Sequence, residues 1–303
     1  MRAAALHRVV KRYGQTLALN GVSLEIPLGS VCALIGPNGC GKTTTMGVMA
    51  GLLQFESGTA DILGEGPFSA ARHAGRVSLM PQDATPSLHV PIRDSLRYYA
   101  ELQGIRPADA EREAQARLEQ VWLADRARSR YGELSHGMRR RFCVAQALLG
   151  RPELILLDEP TSGLDPELVV QIRDLILRQR GSATVLVSSH ILSELETMCD
   201  HAIFMEQGVV VRQGPMSQLT ALNRVVRYTL TEAPNLDLLG VELQGCSLSW
   251  QPPTLTVNAP ESQPLETTNA LCLAALLTQK VGILSVDPGQ SLETAYLSMR
   301  QGN

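Results

Sequence analysis

The chain has 303 residues, which suggests two domains or one large domain with an extension. Hydrophobic residues make up 44% and charged residues 19%, so the composition excludes a wholly disordered chain. The formal net charge of −3 argues against a protein built mainly to neutralise nucleic acid, and no apolar run is long enough for a transmembrane helix.

Short apolar segments alternate with segments of helical pattern over the first two thirds of the chain. The predicted strands are Val31–Ile35, Arg76–Met80, Leu154–Leu157 and Thr184–Val187. The predicted helices are Lys42–Leu53, Ile92–Gln103, Asp109–Trp122, Gly137–Leu149, Pro166–Arg180 and Ile191–Cys199. This alternation predicts a parallel sheet covered on both faces, with ligands bound beyond the carboxyl ends of the strands.

The composition changes at about residues 216–224, after which charged residues become fewer and prolines interrupt the chain. We therefore divide the chain into a domain over residues 1–220 and a smaller C-terminal α/β domain over residues 221–303. In the tail we expect strands near Arg227–Thr231, Thr254–Val257 and Gly282–Val286, and a helix over Thr267–Thr278.

A glycine-rich segment follows the first predicted strand and precedes a predicted helix. It reads Gly36-Pro37-Asn38-Gly39-Cys40-Gly41-Lys42-Thr43-Thr44 and matches the pattern G-x-x-x-x-G-K-[ST] of a phosphate-binding loop. Glycines let backbone N–H groups surround an anion, and the helix adds the positive end of its dipole. Lys42 is expected to bridge the β- and γ-phosphates and Thr43 to ligate Mg²⁺. A turn that only caps the helix is the alternative.

Polar residues follow the three later strands of the predicted sheet. Asp158 and Glu159 come after one strand, His190 after another and Gln82 after a third. Asp158 can reach the magnesium sphere, and Glu159 can polarise a water for attack on the γ-phosphate. His190 is expected to contact the γ-phosphate, and the Gln82 amide can bond a metal ligand and the water. Taken singly, each could also be a polar turn or a core-edge histidine.

These residues, with Leu134-Ser135-His136-Gly137-Met138 and Ser162-Gly163-Leu164-Asp165, resemble the ATP-binding subunit of ABC transporters over about residues 5–215. The motifs follow one another in the family's order. The resemblance implies an α/β fold: a RecA-like P-loop NTPase core with an antiparallel β-subdomain and a helical subdomain over roughly residues 84–150. It also implies an ATP hydrolase coupled to transmembrane transport, with ATP and Mg²⁺ as cofactors.

The resemblance assigns a role to each motif residue. Tyr13 corresponds to the aromatic residue that stacks on adenine, and Gly36 to Thr44 correspond to the phosphate loop. Gln82 corresponds to the loop that couples nucleotide to the membrane partner and contributes to the metal site with Thr43 and Asp158. Glu159 takes the role of general base and His190 that of a switch.

Ser135 and Gly137 correspond to the family's signature, which closes over the γ-phosphate bound by the other subunit. His136 and Met138 replace the Gly and Gln of the commonest form, Leu-Ser-Gly-Gly-Gln, which puts a ribose contact in question. Ser135 is also a natural N-cap of the helix that follows. The run Arg139-Arg140-Arg141 is expected to form a solvated helix face, although one arginine could pair with an acidic group across a dimer.

One phosphate loop and one signature, without an internal repeat, imply that the chain pairs with itself or with a related ATPase subunit. The resemblance further implies a separate transmembrane permease as partner, docked on Pro86–Gly104, and no nucleic acid. A helix packed only on its own subdomain is the alternative there. The tail Ser291–Met299 resembles the ending of exporter ATPases, so we expect an export function. We expect a peripheral protein on the cytoplasmic face of the inner membrane.

Two other functions are compatible with parts of the sequence. The first is a soluble ABC-type ATPase switch that acts on ribosomes or DNA, but such relatives usually carry two ATPase domains or a long coiled-coil insertion. The second is a module that binds nucleotide without hydrolysis, which the presence of both Glu159 and His190 disfavours. Cys40, at a helix N-terminus, is expected either to have a lowered thiol pKa or to be merely a small residue that fits.

Overall fold

Residues Met1–Pro215 and Met216–Asn303 form two separate units. The computed structural model describes residues 1–83, 86–221, 225–260, 262–287 and Leu292. The tail segment Ser291–Met299, which the sequence compares with exporter ATPases, therefore lies outside the described residues except for Leu292.

The first unit contains nine strands and seven α-helices among the described residues. The strands are β1 (Arg2–Tyr13), β2 (Thr16–Pro27), β3 (Val31–Ile35), β4 (Ser57–Ile62), β5 (Val77–Met80), β6 (Leu154–Asp158), β7 (Thr184–Ser188), β8 (His201–Glu206) and β9 (Val209–Pro215). The helices are α1 (Lys42–Met49), α2 (Ala70–His73), α3 (Ile92–Leu102), α4 (Pro107–Gln120), α5 (His136–Ala147), α6 (Pro166–Leu177) and α7 (Leu192–Met198).

A six-stranded sheet in the order β5-β6-β7-β3-β8-β9 forms the core of this unit. Its first five strands are parallel, and β9 pairs with β8 in the antiparallel direction. Every residue of β3, β6 and β7 is buried, as expected for strands covered on both faces. The predicted parallel sheet is confirmed, and the carboxyl ends of β3, β5, β6 and β7 meet along one edge.

A second sheet, antiparallel and in the order β2-β1-β4, belongs to the same unit. One hydrophobic cluster joins it to α1 and to the parallel sheet, and includes Leu6, Ile62, Met46 and Leu156. Burial of each such side chain contributes about 1.5–3 kcal/mol. Together with α3, α4 and α5, which occupy the predicted helical subdomain, this sheet completes the fold class implied by the sequence.

Several helix boundaries differ from those predicted, and two of these differences have a local cause. Helix α1 ends at Met49 instead of Leu53, because Gly51 adopts a positive φ of 70° that ends the helix. Helix α4 begins at Pro107 instead of Asp109, because proline fits the first helical turn, where its missing N–H would have no partner.

The second unit contains α8 (Met216–Ala221), β10 (Val225–Leu230), α9 (Leu236–Glu242), β11 (Ser247–Gln251), β12 (Thr254–Asn258), α10 (Leu265–Thr278) and β13 (Ile283–Asp287). From β10 onward the order is β-α-β-β-α-β, and the sheet order is β11-β12-β10-β13 with antiparallel pairing throughout. The buried Tyr228 of this core donates a 2.8 Å hydrogen bond from its hydroxyl to Oδ1 of Asn269. Among the described residues, no helix of either unit has the length and hydrophobicity needed to span a bilayer.

Candidate active site

The glycine-rich loop between β3 and α1 is folded so tightly that two of its positions accept only glycine. A Cβ atom at Gly36 would lie 2.2 Å from the carbonyl oxygen of Met205. Gly41 has a φ of 108°, and a Cβ atom there would lie 2.8 Å from the carbonyl oxygen of Ala18. The two glycines of the motif therefore fix the shape of the loop against neighbouring backbone.

The start of α1 is suited to bind an anion. Its N-cap is Gly41, so no side chain caps the first N–H groups and the first turn carries no acidic residue. Lys42 Nζ donates to the carbonyl oxygens of Gly36 at 2.8 Å and Pro37 at 3.2 Å, which holds its charge over the loop. Phosphate oxygens are better partners for this ammonium group than two carbonyls, because they are charged.

A cavity of about 270 Å³ opens above the loop. It is lined by Tyr13, Ala18, Asn38, Gly39, Gly41, Lys42, Thr43, Thr44, Gln82, Asp158 and Glu159. Most of the predicted site residues are therefore brought together around one space, although they come from the ends of β5 and β6, the loop after β3 and the antiparallel sheet.

Asp158 is held by two hydroxyl groups at the end of β6. Thr43 Oγ1 donates to Asp158 Oδ2 at 2.5 Å, and Ser188 Oγ donates to Asp158 Oδ1 at 2.6 Å. The aspartate is only 1% exposed, so its orientation is fixed by these partners. Ser188 was not identified from the sequence, because a serine inside an apolar strand gives no signal of its own.

The oxygen atoms of Thr43 and Asp158 fit a magnesium ion. A hydroxyl and a carboxylate at the rim of a phosphate-sized cavity, with the Gln82 side chain on the same lining, are the hard oxygen donors that Mg²⁺ prefers. In the described part of the chain, no group of three or more His, Cys, Asp and Glu residues is arranged to hold a metal. Thr43 and Asp158 supply oxygen ligands of the kind Mg²⁺ uses, and Mg²⁺ in proteins usually completes its coordination with waters and substrate phosphates.

Glu159 follows Asp158 and carries a buried carboxylate next to His190. Glu159 Oε2 lies 2.8 Å from Nδ1 of His190, and the glutamate side chain is 9% exposed whereas that of His190 is 62% exposed. The backbone of Glu159 has a positive φ of 56°, and its N–H donates to Ser188 Oγ at 2.9 Å. A carboxylate that lines the cavity and is oriented by an imidazole can accept a proton from a water molecule.

Ser135 and Gly137 lie at the start of α5 and do not line this cavity. Ser135 is the N-cap, and its Oγ accepts a 3.3 Å hydrogen bond from the N–H of Met138. The neighbouring His136 ring packs on Gly163, where a Cβ atom would lie 2.7 Å from His136 Cε1. The signature residues are thus in contact with the segment Ser162–Asp165 of the same chain.

The expectation that Arg139, Arg140 and Arg141 form a solvated helix face is wrong. Arg140 is 8% exposed and donates to backbone carbonyl oxygens of Glu159, Asp158 and Gln82. Arg141 donates to the carbonyls of Val121 and Trp122, and the Arg139 guanidinium lies 5.5 Å from the centre of the Tyr131 ring. Their partners are mostly carbonyl oxygens at element ends, which sequence patterns do not show.

The expectation of a lowered thiol pKa at Cys40 is also wrong. The side chain is 2% exposed and lies beneath the loop, where a Cβ atom added at Gly36 would be 2.5 Å from its Sγ. Burial raises the pKa of the Cys40 thiol more than the nearby Lys42 charge lowers it. The alternative interpretation, a small residue that fits under the loop, agrees with this geometry.

Comparisons with known proteins agree with the family resemblance found in the sequence. A family model described as "ABC transporter" matches residues 19–162. The Nod factor export ATP-binding protein I of Burkholderia orbicola (strain AU 1054) is 36% identical over 211 residues, which cover 68% of this chain and 68% of that protein.

Solved structures agree with the fold of the first unit. A structure of the ATP-binding subunit of an ABC transporter is 26% identical, with a TM-score of 0.66, and the match covers 73% of this chain and 92% of that one. A dimeric ATP-binding cassette in a post-hydrolysis state, bound to ADP and phosphate, is 21% identical with a TM-score of 0.65, over 70% of this chain and 98% of that one. The latter likeness concerns the fold alone.

Proposed function

The chain belongs to the family of ABC transporter ATP-binding subunits and is an ATPase homologous to export ATP-binding proteins; we propose that it hydrolyses Mg-ATP in a head-to-tail dimer to drive export through a separate transmembrane subunit. The observation that supports this proposal is the chain of contacts from Thr43 through Asp158 to Ser188 and Glu159, since it brings the hydroxyl and carboxylate that would hold Mg²⁺ and the carboxylate that would act as the base to one cavity.

In this proposal the nucleotide lies along the cavity. Tyr13, which is half exposed at the rim, stacks on the adenine ring, as aromatic side chains do with nucleic-acid bases. The backbone N–H groups of Gly39 to Thr44 surround the phosphates, and Lys42 exchanges its two carbonyl partners for phosphate oxygens. Thr43, Asp158 and Gln82 would hold Mg²⁺, which would supply positive charge to neutralise the phosphates.

Hydrolysis then needs a base and a held water molecule. The Glu159 carboxylate takes a proton from the water as the water oxygen attacks the γ-phosphorus, and the bond from that phosphorus to the β–γ bridging oxygen breaks to leave ADP. His190, already in contact with Glu159 Oε2, orients this carboxylate and contacts the γ-phosphate. Gln82 orients the attacking water from the end of the neighbouring strand β5.

The position of Ser135 and Gly137 supports a composite site. They lie away from the cavity that the same chain builds, so the phosphate contact that the signature implies needs a second copy or a related subunit. The dimeric cassette whose fold resembles this chain is bound to ADP and phosphate. ATP would hold two subunits together, and loss of the γ-phosphate would remove contacts that favour the closed dimer.

A separate transmembrane subunit receives this motion in our proposal. Export is supported by the relatives named as Nod factor export ATP-binding proteins. The segment Pro86–Gly104 would dock on that subunit, since α3 exposes Tyr98 and Leu102 while it buries Ile92 and Leu96 on its own unit. The protein would then be peripheral, on the cytoplasmic face of the inner membrane.

The experiment that tests the function compares the purified protein with Lys42→Ala. The wild type should bind and hydrolyse Mg-ATP, whereas Lys42→Ala should lose both, because the charge over the loop is gone. Lys280→Ala, in the second unit, is the matched control and should behave as the wild type. Unchanged hydrolysis in Lys42→Ala would contradict the phosphate-loop assignment, and failure to co-purify with any polytopic membrane protein would contradict the transport role.

A further inference from the structure

The backbone of Glu159 occupies a conformation that its residue type disfavours. Its φ is 56°, in the left-handed region, and the residue that follows is Pro160. Left-handed backbone is rarely adopted by residues other than glycine, and a following proline favours extended backbone instead. Such a conformation persists only where the surrounding structure holds it, and at active sites it is often part of the mechanism.

Two side chains hold the peptide groups on either side of the Glu159 Cα atom. Ser188 Oγ accepts a 2.9 Å hydrogen bond from the N–H of Glu159. The Arg140 guanidinium donates to the carbonyl oxygen of Glu159 from Nε at 2.9 Å and also from Nη2. With both the N–H and the C=O fixed, φ and ψ of Glu159 are restrained, and the carboxylate keeps its direction toward the cavity and His190.

All three guanidinium nitrogens of Arg140 donate to backbone carbonyl oxygens at this edge of the sheet. Besides Glu159, it donates to the carbonyl oxygen of Asp158 at 2.9 Å and to that of Gln82 at 2.7 Å. These carbonyls lie at or just beyond the carboxyl ends of β6 and β5, whose pairing with each other ends at Leu157 and Met80. The planar fork of arginine reaches three acceptors at once, which the single ammonium group of lysine cannot do in the same way.

The charge of Arg140 is buried but has acidic neighbours. Burial lowers the pKa of the guanidinium, while the nearby Cys143, Asp158, Glu159 and Asp83 raise it. Burial outweighs these neighbours and the pKa is lowered, yet an arginine guanidinium stays protonated at neutral pH in proteins. Desolvating a cation costs free energy that hydrogen bonds to neutral carbonyl oxygens only partly offset. Stability alone therefore does not explain an arginine at this position.

From this geometry we propose that Arg140 is a positioning residue for catalysis: acting with Ser188, it holds the Glu159 peptide in the left-handed conformation that directs the carboxylate at the attacking water. The inference rests on the proposed ATPase function. Arg140 also lies on α5, whose first residues follow the N-cap Ser135, and bonds the Gln82 carbonyl. A displacement of α5 or of the segment after β5 would therefore be transmitted to Glu159.

The test compares steady-state ATP hydrolysis of the full-length protein with that of Arg140→Met. We expect kcat to fall about 10-fold to 100-fold, because a base displaced by about 1 Å is that much less effective. The KM for ATP should stay within about twofold, because Tyr13 and the phosphate loop are untouched. Arg140→Lys should recover part of kcat, since it restores one donor to the Glu159 carbonyl.

Arg117→Met is the matched control. Arg117 is also a largely buried arginine, and it donates at 3.0 Å to the carbonyl of Gly150, before the opposite end of β6. Arg117→Met should lower the melting temperature, as we also expect for Arg140→Met. It should nevertheless leave kcat within about twofold of the wild-type value. Ser188→Ala should also lower kcat. If Ser188 and Arg140 both act through the Glu159 backbone, the double variant Ser188→Ala/Arg140→Lys should lower kcat by less than the product of the two single effects.

The outcomes separate the inference from the function. If the wild type hydrolyses ATP and Arg140→Met retains its kcat, the inference is overturned. The inference is also overturned if Arg140→Met and Arg117→Met both lose nucleotide binding and kcat in proportion to their loss of stability. That result would mean that Arg140 acts only on stability. If Arg140→Met does not fold, Arg140→Lys decides by the same split of kcat and KM. A wild type that never hydrolyses ATP would contradict the proposed function itself.

Discussion

The hydroxyl of Thr43 donates a 2.5 Å hydrogen bond to Oδ2 of Asp158, which joins the start of α1 to the end of β6. One atom belongs to the phosphate loop and the other to a strand more than a hundred residues further along the chain. Their contact means that the fold already brings together the two oxygen atoms that would hold Mg²⁺ in the proposed function.

Asp158→Asn should weaken the use of magnesium. The substitution removes the negative charge while it keeps the size of the side chain, so the Mg²⁺ concentration for half-maximal ATP hydrolysis should rise about tenfold or more. Asp200→Asn is the control, because the Asp200 carboxylate also accepts a hydrogen bond, in its case from the N–H of Val31 at the opposite end of the sheet. A magnesium titration of hydrolysis measures both, and equal Mg²⁺ dependence of Asp158→Asn and wild type would contradict the metal assignment.

Glu159→Gln should accumulate an ATP-bound dimer. The amide cannot accept the proton of the attacking water, so the γ-phosphate stays in place and its contacts to both subunits persist. Gel filtration with Mg-ATP should show a dimer of the variant, and the same variant with Mg-ADP should elute as a monomer. Only monomer with either nucleotide would count against a composite site.

Gly36→Ala should destabilise the first unit by about 1–3 kcal/mol, because the added Cβ atom meets the Met205 carbonyl and overpacks the loop. Gly240→Ala is a suitable control, because its Cβ atom would meet nothing within 4 Å and it lies in α9. There alanine should be neutral or stabilising by up to about 1 kcal/mol. Thermal unfolding followed by circular dichroism compares the two, and equal melting temperatures would contradict the tight loop.

Cys40 should react slowly with iodoacetamide in the folded protein. Its raised pKa means that a smaller fraction is thiolate at pH 8 than in the unfolded chain, and its burial blocks access as well. Because the pKa is raised, the rate should keep increasing with pH above the ordinary thiol pKa instead of levelling off. Mass spectrometry of the labelled peptide in native and denatured protein measures this, and equal rates in the two states would refute it.

The sequence predicts the part of the site whose chemistry is local. The residues Gly36 to Thr44 are contiguous, and Asp158 and Glu159 end an apolar strand, so spacing and strand polarity suffice to find them. Arg140 and Ser188 are different, because their partners are backbone atoms and a carboxylate that only the tertiary fold brings near. Every residue has a backbone carbonyl oxygen, so the residue types in a sequence pattern cannot show which carbonyl accepts a side-chain hydrogen bond.

The same contrast holds for the fold. The buried strands β3, β6 and β7 are short apolar runs and were predicted from the sequence pattern. The long strand β1 was not, because its pairing with β2 shifts register between Leu6 and Val9 and again further along, and Arg8 there has a positive φ. Such bulges break the two-residue alternation on which strand prediction depends. The antiparallel sheet came only from the family resemblance.

The left-handed backbone of Glu159 has a consequence for how this sequence can change. A glycine at position 159 would relax a conformation that costs a non-glycine residue about 1–3 kcal/mol, so the fold would gain stability while the protein would lose the carboxylate that we propose as the base. Screening variants of this protein for heat resistance alone would therefore favour inactive survivors at that position. Thermal stability and turnover therefore favour different residues at position 159. Selection for ATP hydrolysis would be needed to keep the proposed base there.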